Sequence, residues 1–147
     1  MIILGAVIAA LLSGPATATD GDTLKMGTVS VRLFGIDAPE AQQRCSARSG
    51  NEYECGTRAR LFLAGAVYGR SITCEPKDID RFGRTVAICS AGGVDLGRAL
   101  VSSGLAVAYR EYTDIYVEDE RVAKQARRGL WAGRFDPPSS YRANRFR

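Results

Sequence analysis

The sequence predicts a mainly-β α+β domain: a five-stranded Greek-key barrel with three flanking helices. Three observations carry this. Residues 20–40, DGDTLKMGTVSVRLFGIDAPE, read as a turn followed by an alternating hairpin, with Gly27-Thr28 as its two-residue connection. Residues after Thr57 switch to helical spacing, with Ala59, Leu61, Phe62, Leu63, Ala66 and Val67 on and around one face. Two further strand-like runs, RSITCEP and RTVAICSAGG, follow across a turn-bearing loop.

Taken in order, one strand leads into Asp20-Gly21-Asp22, and the hairpin adds a second and third ending near Asp37. A polar, aperiodic loop, AQQRCSARSGNEYECG, precedes the helix that Gly69 closes. Asp80-Arg81-Phe82-Gly83 is a turn signature between the fourth and fifth strands, with Arg84 just beyond it. Asp95 caps a short helix, LGRALVSSG, and LAVAY resumes as strand. The last helix, Val117 to Arg128, has acids in its first turn and basic residues in its last, as the helix dipole favours. Leu130-Trp131 is expected to plug the core, and the tail beyond Arg134 to be extended. Three strands, a helix and two strands is the order of an OB barrel, whose side face binds oligonucleotides. The chain thus divides into an apolar leader-like or anchoring segment at 1–14, one domain at 15–135 and a basic tail at 136–147.

At 147 residues there is room for one substantial core. The net charge is +4, and all but three of the 20 basic residues are arginine, which leans toward phosphate-bearing partners or reflects base composition. Histidine is absent, excluding a Ser-His-Asp triad, a histidine base and a His-ligated zinc site. Hydrolytic chemistry would therefore rest on carboxylates, arginines and a hard metal ion.

Residues 1–12, MIILGAVIAALL, are too short to span a bilayer comfortably and resemble the apolar part of an export signal. Ala16-Thr17-Ala18 matches a cleavage pattern, but a cut there would remove the strand leading into the Asp-Gly-Asp turn. The expectation is export to a secreted or periplasmic location, with cleavage nearer Gly14 or an uncleaved anchor. Four cysteines in a small exported chain suggest the pairs Cys45–Cys55 and Cys74–Cys89, one of three connectivities. A zinc site made by all four is the rival reading, weakened by the lack of a C-x-x-C knuckle.

Arg32 stands out because Val31 and Leu33 flank it in an apolar run. A guanidinium there needs an anion or acceptors, unless its stem lies along apolar surface with the head in water. Asp20, Asp22, Asp37 and Glu40 gather at the ends of the same hairpin, where they either shape turns or form a site.

DGDT at 20–23, VRLFGIDAPE at 31–40, DRFGR at 80–84, GLAVAY at 104–109 and RRGLW at 127–131 together resemble the staphylococcal nuclease family, in its order and over nearly the whole domain. The resemblance implies an OB-fold, calcium-dependent phosphodiesterase acting on DNA and RNA, single-stranded or frayed by preference, as a monomer. By the same resemblance, Asp22 and Asp37 bind Ca2+ with the main-chain carbonyl of Ala38, and Glu40 activates water. Arg32 and Arg84 would grip the phosphate, with Asp20 and Thr23 supporting the metal shell. Arg81, Phe82 and Tyr109 correspond to positions beside the nucleotide, Phe82 lacking the hydroxyl of the family's tyrosine. Tyr109, Tyr112 and Tyr116 either stack on bases or belong to the core. A non-catalytic nucleic-acid-binding module is the alternative, and a role in exopolysaccharide production a weaker third.

Overall fold

A computed structural model describes residues 10–145. The order is β1 (Leu12–Gly14), β2 (Thr17–Asp20), β3 (Thr23–Met26), β4 (Val29–Leu33), β5 (Ile36–Asp37), β6 (Cys45–Ser46), β7 (Glu52–Tyr53), α1 (Cys55–Val67), β8 (Ile72–Ile79), β9 (Thr85–Ala91) and β10 (Val94–Asp95). α2 (Leu96–Ser102), β11 (Val107–Ala108), α3 (Val117–Gln125), a 3₁₀ turn (Gly129–Ala132) and α4 (Pro138–Asn144) follow.

The main sheet runs β1-β8-β9-β4-β3-β2, with β10 on β9. Its two ends, β1 and β2, are halves of one chain segment interrupted by Pro15 and Ala16, where proline can give no ladder hydrogen bond. One broken strand thus serves both edges and curls the sheet into the expected barrel, five-stranded when β1 and β2 count once. β1 pairs Leu12, Ser13 and Gly14 with Cys74, Thr73 and Ile72. Residues 12–14, expected to belong to the leader, are therefore part of the sheet; residues 1–9 of that segment lie outside the described residues. No helix among the described residues is long and apolar enough to cross a membrane.

The predicted hairpin forms, with Met26 opposite Val29. On its other side β4 runs parallel to β9, pairing Arg32 with Val86. The core lies between this barrel and α1 and α2: Leu24, Leu33, Leu63, Ile72 and Leu100 are sealed from solvent. Each such side chain contributes about 1.5–3 kcal/mol of hydrophobic burial. Asp95 caps α2 as expected, accepting from the N–H of Arg98 at 3.1 Å. Tyr116 belongs to this core, which removes it from the base-stacking candidates.

Both predicted disulfides are present, and among the described residues no cysteine is free, so the zinc alternative falls. Cys74–Cys89 ties directly opposed residues of β8 and β9. Cys45–Cys55 anchors a second small apolar cluster. Leu130 plugs that cluster, and Trp131 is half-buried, edge-on to Phe135 at 5.0 Å.

The tail differs from expectation. Arg134 bridges to Ser46 in antiparallel fashion, and residues 138–144 form a fourth helix where an extended end was expected. Pro138 begins that helix, a position where its missing N–H costs nothing. Arg142 of the tail finds carboxylate partners in Asp37 and Glu40, an attraction that composition alone does not display.

Candidate active site

Arg32 occupies the middle of the site because β4 is the middle of the sheet. Thr23 faces it across β3 and Val86 across β9, so Asp22, one residue before β3, and Arg84, just before β9, arrive at the same place. A short β5 after the Phe34-Gly35 turn brings Asp37 back toward Arg32. The guanidinium is mostly buried and ion-paired to Asp22, while its Nη2 donates to Asp37 Oδ1 and the carbonyl of Ile36, both at 3.3 Å. Burial works against its charge, but the two aspartates outweigh that and hold it protonated. The charge in an apolar run is thus met by anions, the condition under which such burial is tolerated.

Asp22 is fixed from two further sides. Its Oδ1 accepts from the Thr23 hydroxyl at 3.1 Å, and its Oδ2 from the main-chain N–H of Ala38 at 2.9 Å. Gly21 permits this, because a Cβ there would stand 2.6 Å from that of Ala59 and 2.9 Å from that of Ala38. Asp20 opens onto the same space. Burial, then the charges of Asp22 and Glu40, raise its pKa above the ordinary carboxylate value, against the pull of Arg32 and Arg84.

Glu40 is held through its backbone. Its N–H donates to Oε1 of the buried Gln43 at 3.2 Å, and its carbonyl packs so closely on Gly56 of α1 that no side chain fits there. Gln43 Nε2 in turn donates to the carbonyl of Asp136 at 2.7 Å, linking this loop to the tail.

Arg84 is oriented by Asp80. The carboxylate accepts from the N–H groups of Phe82 and Arg84 at 2.9 and 3.0 Å, closing the turn, and from Arg84 Nε at 2.7 Å. Burial tends to raise the Asp80 pKa, but these contacts prevail and lower it. Arg81 and Arg84 both lie against the Phe82 ring, 4.9 and 5.4 Å from its centre. Tyr109 is carried in by β11, its N–H donating to the carbonyl of Gly35 at 2.9 Å. It stacks on Tyr112, which reaches Asp78 with its hydroxyl at 2.6 Å.

Asp20, Asp22, Arg32, Ala38, Glu40, Arg81, Phe82, Arg84 and Tyr109 line one cavity of about 580 Å³, with Asp37 and Thr23 bonded to that wall from beneath. The cysteines, as expected of disulfides, stay out of it. Tyr112, a base-stacking candidate from the sequence, also lines the cavity, as do Asp80 and Arg142, for which the sequence suggested no role there. Asp80 was visible only as a turn former. Arg142 sits in a polar, arginine-rich tail and carries no local mark. Its Nη1 donates to Asp37 Oδ1 and Glu40 Oε1, and its Nη2 to Asp37 Oδ2, all at 2.9 Å. The hydrogen bonds to Asp37, with those to Glu40 and both charges, push its pKa up against the cost of burial.

The donor set around the cavity is all oxygen, hard and anionic, which fits calcium better than a thiophilic metal. Among the described residues no three acidic, histidine or cysteine side chains are gathered as a ready metal cage. Asp22 and Asp37 are instead drawn onto guanidinium groups, cations that hold the same oxygens.

A sequence model of the "Staphylococcal nuclease homologue" family matches residues 30–133. The chain is 35% identical over 142 residues to the "Succinoglycan biosynthesis protein ExoI" of Rhizobium meliloti, covering 87% of this chain and 74% of that protein. It is 35% identical over 130 residues to a "Micrococcal nuclease" of Shigella flexneri, covering 77% of this chain and 69% of that one. An "Uncharacterized endonuclease" of Haemophilus influenzae is 31% identical over 121 residues, with 78% of this chain and 62% of that protein covered. With Arg32 on β4, Asp37, the Asp80 turn and β9 all inside the matched span, the chain belongs to the staphylococcal nuclease family.

Proposed function

We propose that this chain is an exported, calcium-dependent nuclease that hydrolyses DNA and RNA phosphodiesters and leaves 3′-phosphate ends. The observation supporting it best is the gathering of Asp22, Asp37, Glu40, Arg32 and Arg84 about one cavity, from five separate points of the chain. Nuclease and endonuclease names among the relatives point the same way. Export is supported by the two disulfides, which form in oxidising compartments.

A phosphodiester resists attack because its anionic oxygens repel the nucleophile. Asp22, Asp37 and the Ala38 carbonyl are the ligands for calcium, which when bound neutralises phosphate charge and polarises a phosphoryl oxygen. Glu40 takes the proton of a water as its oxygen bonds to phosphorus. The bond from phosphorus to the 5′-oxygen breaks, and that oxygen is protonated from solvent. Arg32 and Arg84 donate to the equatorial oxygens, where charge grows toward the transition state. Arg84 suits this because Asp80 fixes its Nε edge before substrate arrives. Tyr109, Tyr112 and the Phe82 ring offer faces for the adjoining bases.

Digestion of single-stranded DNA and RNA across a calcium titration, with a chelator control and end-group analysis, tests this. Calcium-dependent cleavage to 3′-phosphates is expected. Binding without cleavage at any calcium level would favour the non-catalytic module.

A further inference from the structure

Arg142 presents a problem that the proposed chemistry leaves open. Asp37 is buried, both its oxygens are bonded to the Arg142 fork, and Oδ1 also receives Arg32. The same fork holds Glu40. A cation ligand and a proton acceptor are thus both tied to one arginine, in the geometry that guanidinium and carboxylate favour most.

The element carrying Arg142 is lightly anchored. α4 has seven residues, of which only Pro138 is buried; Ser139, Ser140, Ala143 and Asn144 face solvent. A helix this short has little stability of its own, so its contacts decide whether it stays in place. Among those contacts are the Arg142 fork and, at its base, the bond from Gln43 to Asp136. Residue 142 also lies past the span matched to the family, 30–133.

We infer that α4 is an autoinhibitory latch: Arg142 occupies the Asp37 and Glu40 carboxylates in place of the divalent cation and competes with it. This rests on the reading of Asp37 as a cation ligand. Arg32 and Arg142 already share Asp37 Oδ1, and a divalent cation added to both would meet strong repulsion, so calcium binding requires the fork to leave. Apparent calcium affinity is then the open-state affinity multiplied by the fraction of molecules with the latch open. With acids unpaired by default, the cavity would attract cations at low concentration; the latch reserves it for calcium-rich surroundings.

The test is calorimetric titration of calcium into the full chain and its Arg142→Ala and Arg142→Lys variants, without nucleic acid, after circular dichroism has shown them folded. Arg142→Ala should bind calcium about 10- to 100-fold more tightly, a latch closed in roughly ninety to ninety-nine molecules of a hundred. Arg142→Lys, which loses the fork but keeps the charge, should fall between. Hydrogen exchange across residues 138–145 of the unaltered chain should quicken at saturating calcium. Equal or weaker calcium binding by Arg142→Ala overturns the latch and leaves the metal reading standing. No calcium binding by any of the three chains removes both.

Discussion

Arg84 donates twice to Asp80, through its main-chain N–H at 3.0 Å and its side-chain Nε at 2.7 Å. One carboxylate therefore shapes the turn and aims the guanidinium that the turn presents. Arg84→Ala should lower kcat by roughly 10²-fold or more, the usual cost of losing a donor to the transition state. Asp80→Ala should reproduce a part of that loss, about 10-fold, with Arg84 still present but unaimed. Single-turnover kinetics at saturating calcium measure both; an unaltered rate in Asp80→Ala would mean that Arg84 needs no orienting partner.

Glu40 depends on close packing beneath it. Glu40→Gln should lower kcat by about 10²-fold at saturating calcium while the protein folds normally. Gly56→Ala places a methyl group against the Glu40 carbonyl and should destabilise the fold by about 1–3 kcal/mol while also slowing cleavage. Urea unfolding and cleavage rates, measured together, separate the two effects.

Tyr116 donates its hydroxyl to Asp95 Oδ2 at 2.7 Å from inside the core. Burial first, then this bond and the Asp95 charge, raise its pKa far above the ordinary value of 10.0. Between those values the folded state keeps a proton that the unfolded chain gives up. The contribution is thus complete below about pH 10 and is lost progressively as pH rises above it. Tyr116→Phe should cost about 1.5–3 kcal/mol at neutral pH and should flatten the alkaline decline of stability between pH 10 and 11.5. Thermal melts of both chains over that range decide it.

The barrel closes through a three-residue strand. A chain beginning at Pro15 loses the pairing of Leu12, Ser13 and Gly14 with β8 and bares an edge that includes the buried Ile72 and Cys74. Its stability should fall by about 2–4 kcal/mol, from about 1 kcal/mol per lost ladder bond and the exposed apolar surface. The urea midpoint is the readout, and an unchanged midpoint would show that β1 does not hold the edge. Processing of an exported form should accordingly spare Leu12.

Each disulfide closes a short loop, of ten residues for Cys45–Cys55 and fifteen for Cys74–Cys89. Cys74→Ala/Cys89→Ala should cost roughly 3 kcal/mol and Cys45→Ala/Cys55→Ala slightly less, as loop-closure entropy predicts. Denaturant unfolding with and without reductant checks this.

Features that a few neighbouring residues encode were legible before the fold was known. The Gly27-Thr28 hairpin, the Asp95 cap, the helix expected from Thr57 to Gly69 and found at Cys55–Val67, and the Asp80 turn all follow from local backbone preference and apolar spacing. Arg32 was legible too, since a charge amid valine and leucine demands a partner wherever it lies. The folded chain alone brings β1 and β2 to the two edges of one barrel, sets Asp80 on Arg84, and carries Arg142 to Asp37 across 105 positions. The physical reason is that a pairing between distant charges leaves no periodicity behind it. An arginine among serines and tyrosines looks like any solvated residue until the fold brings a carboxylate to meet it.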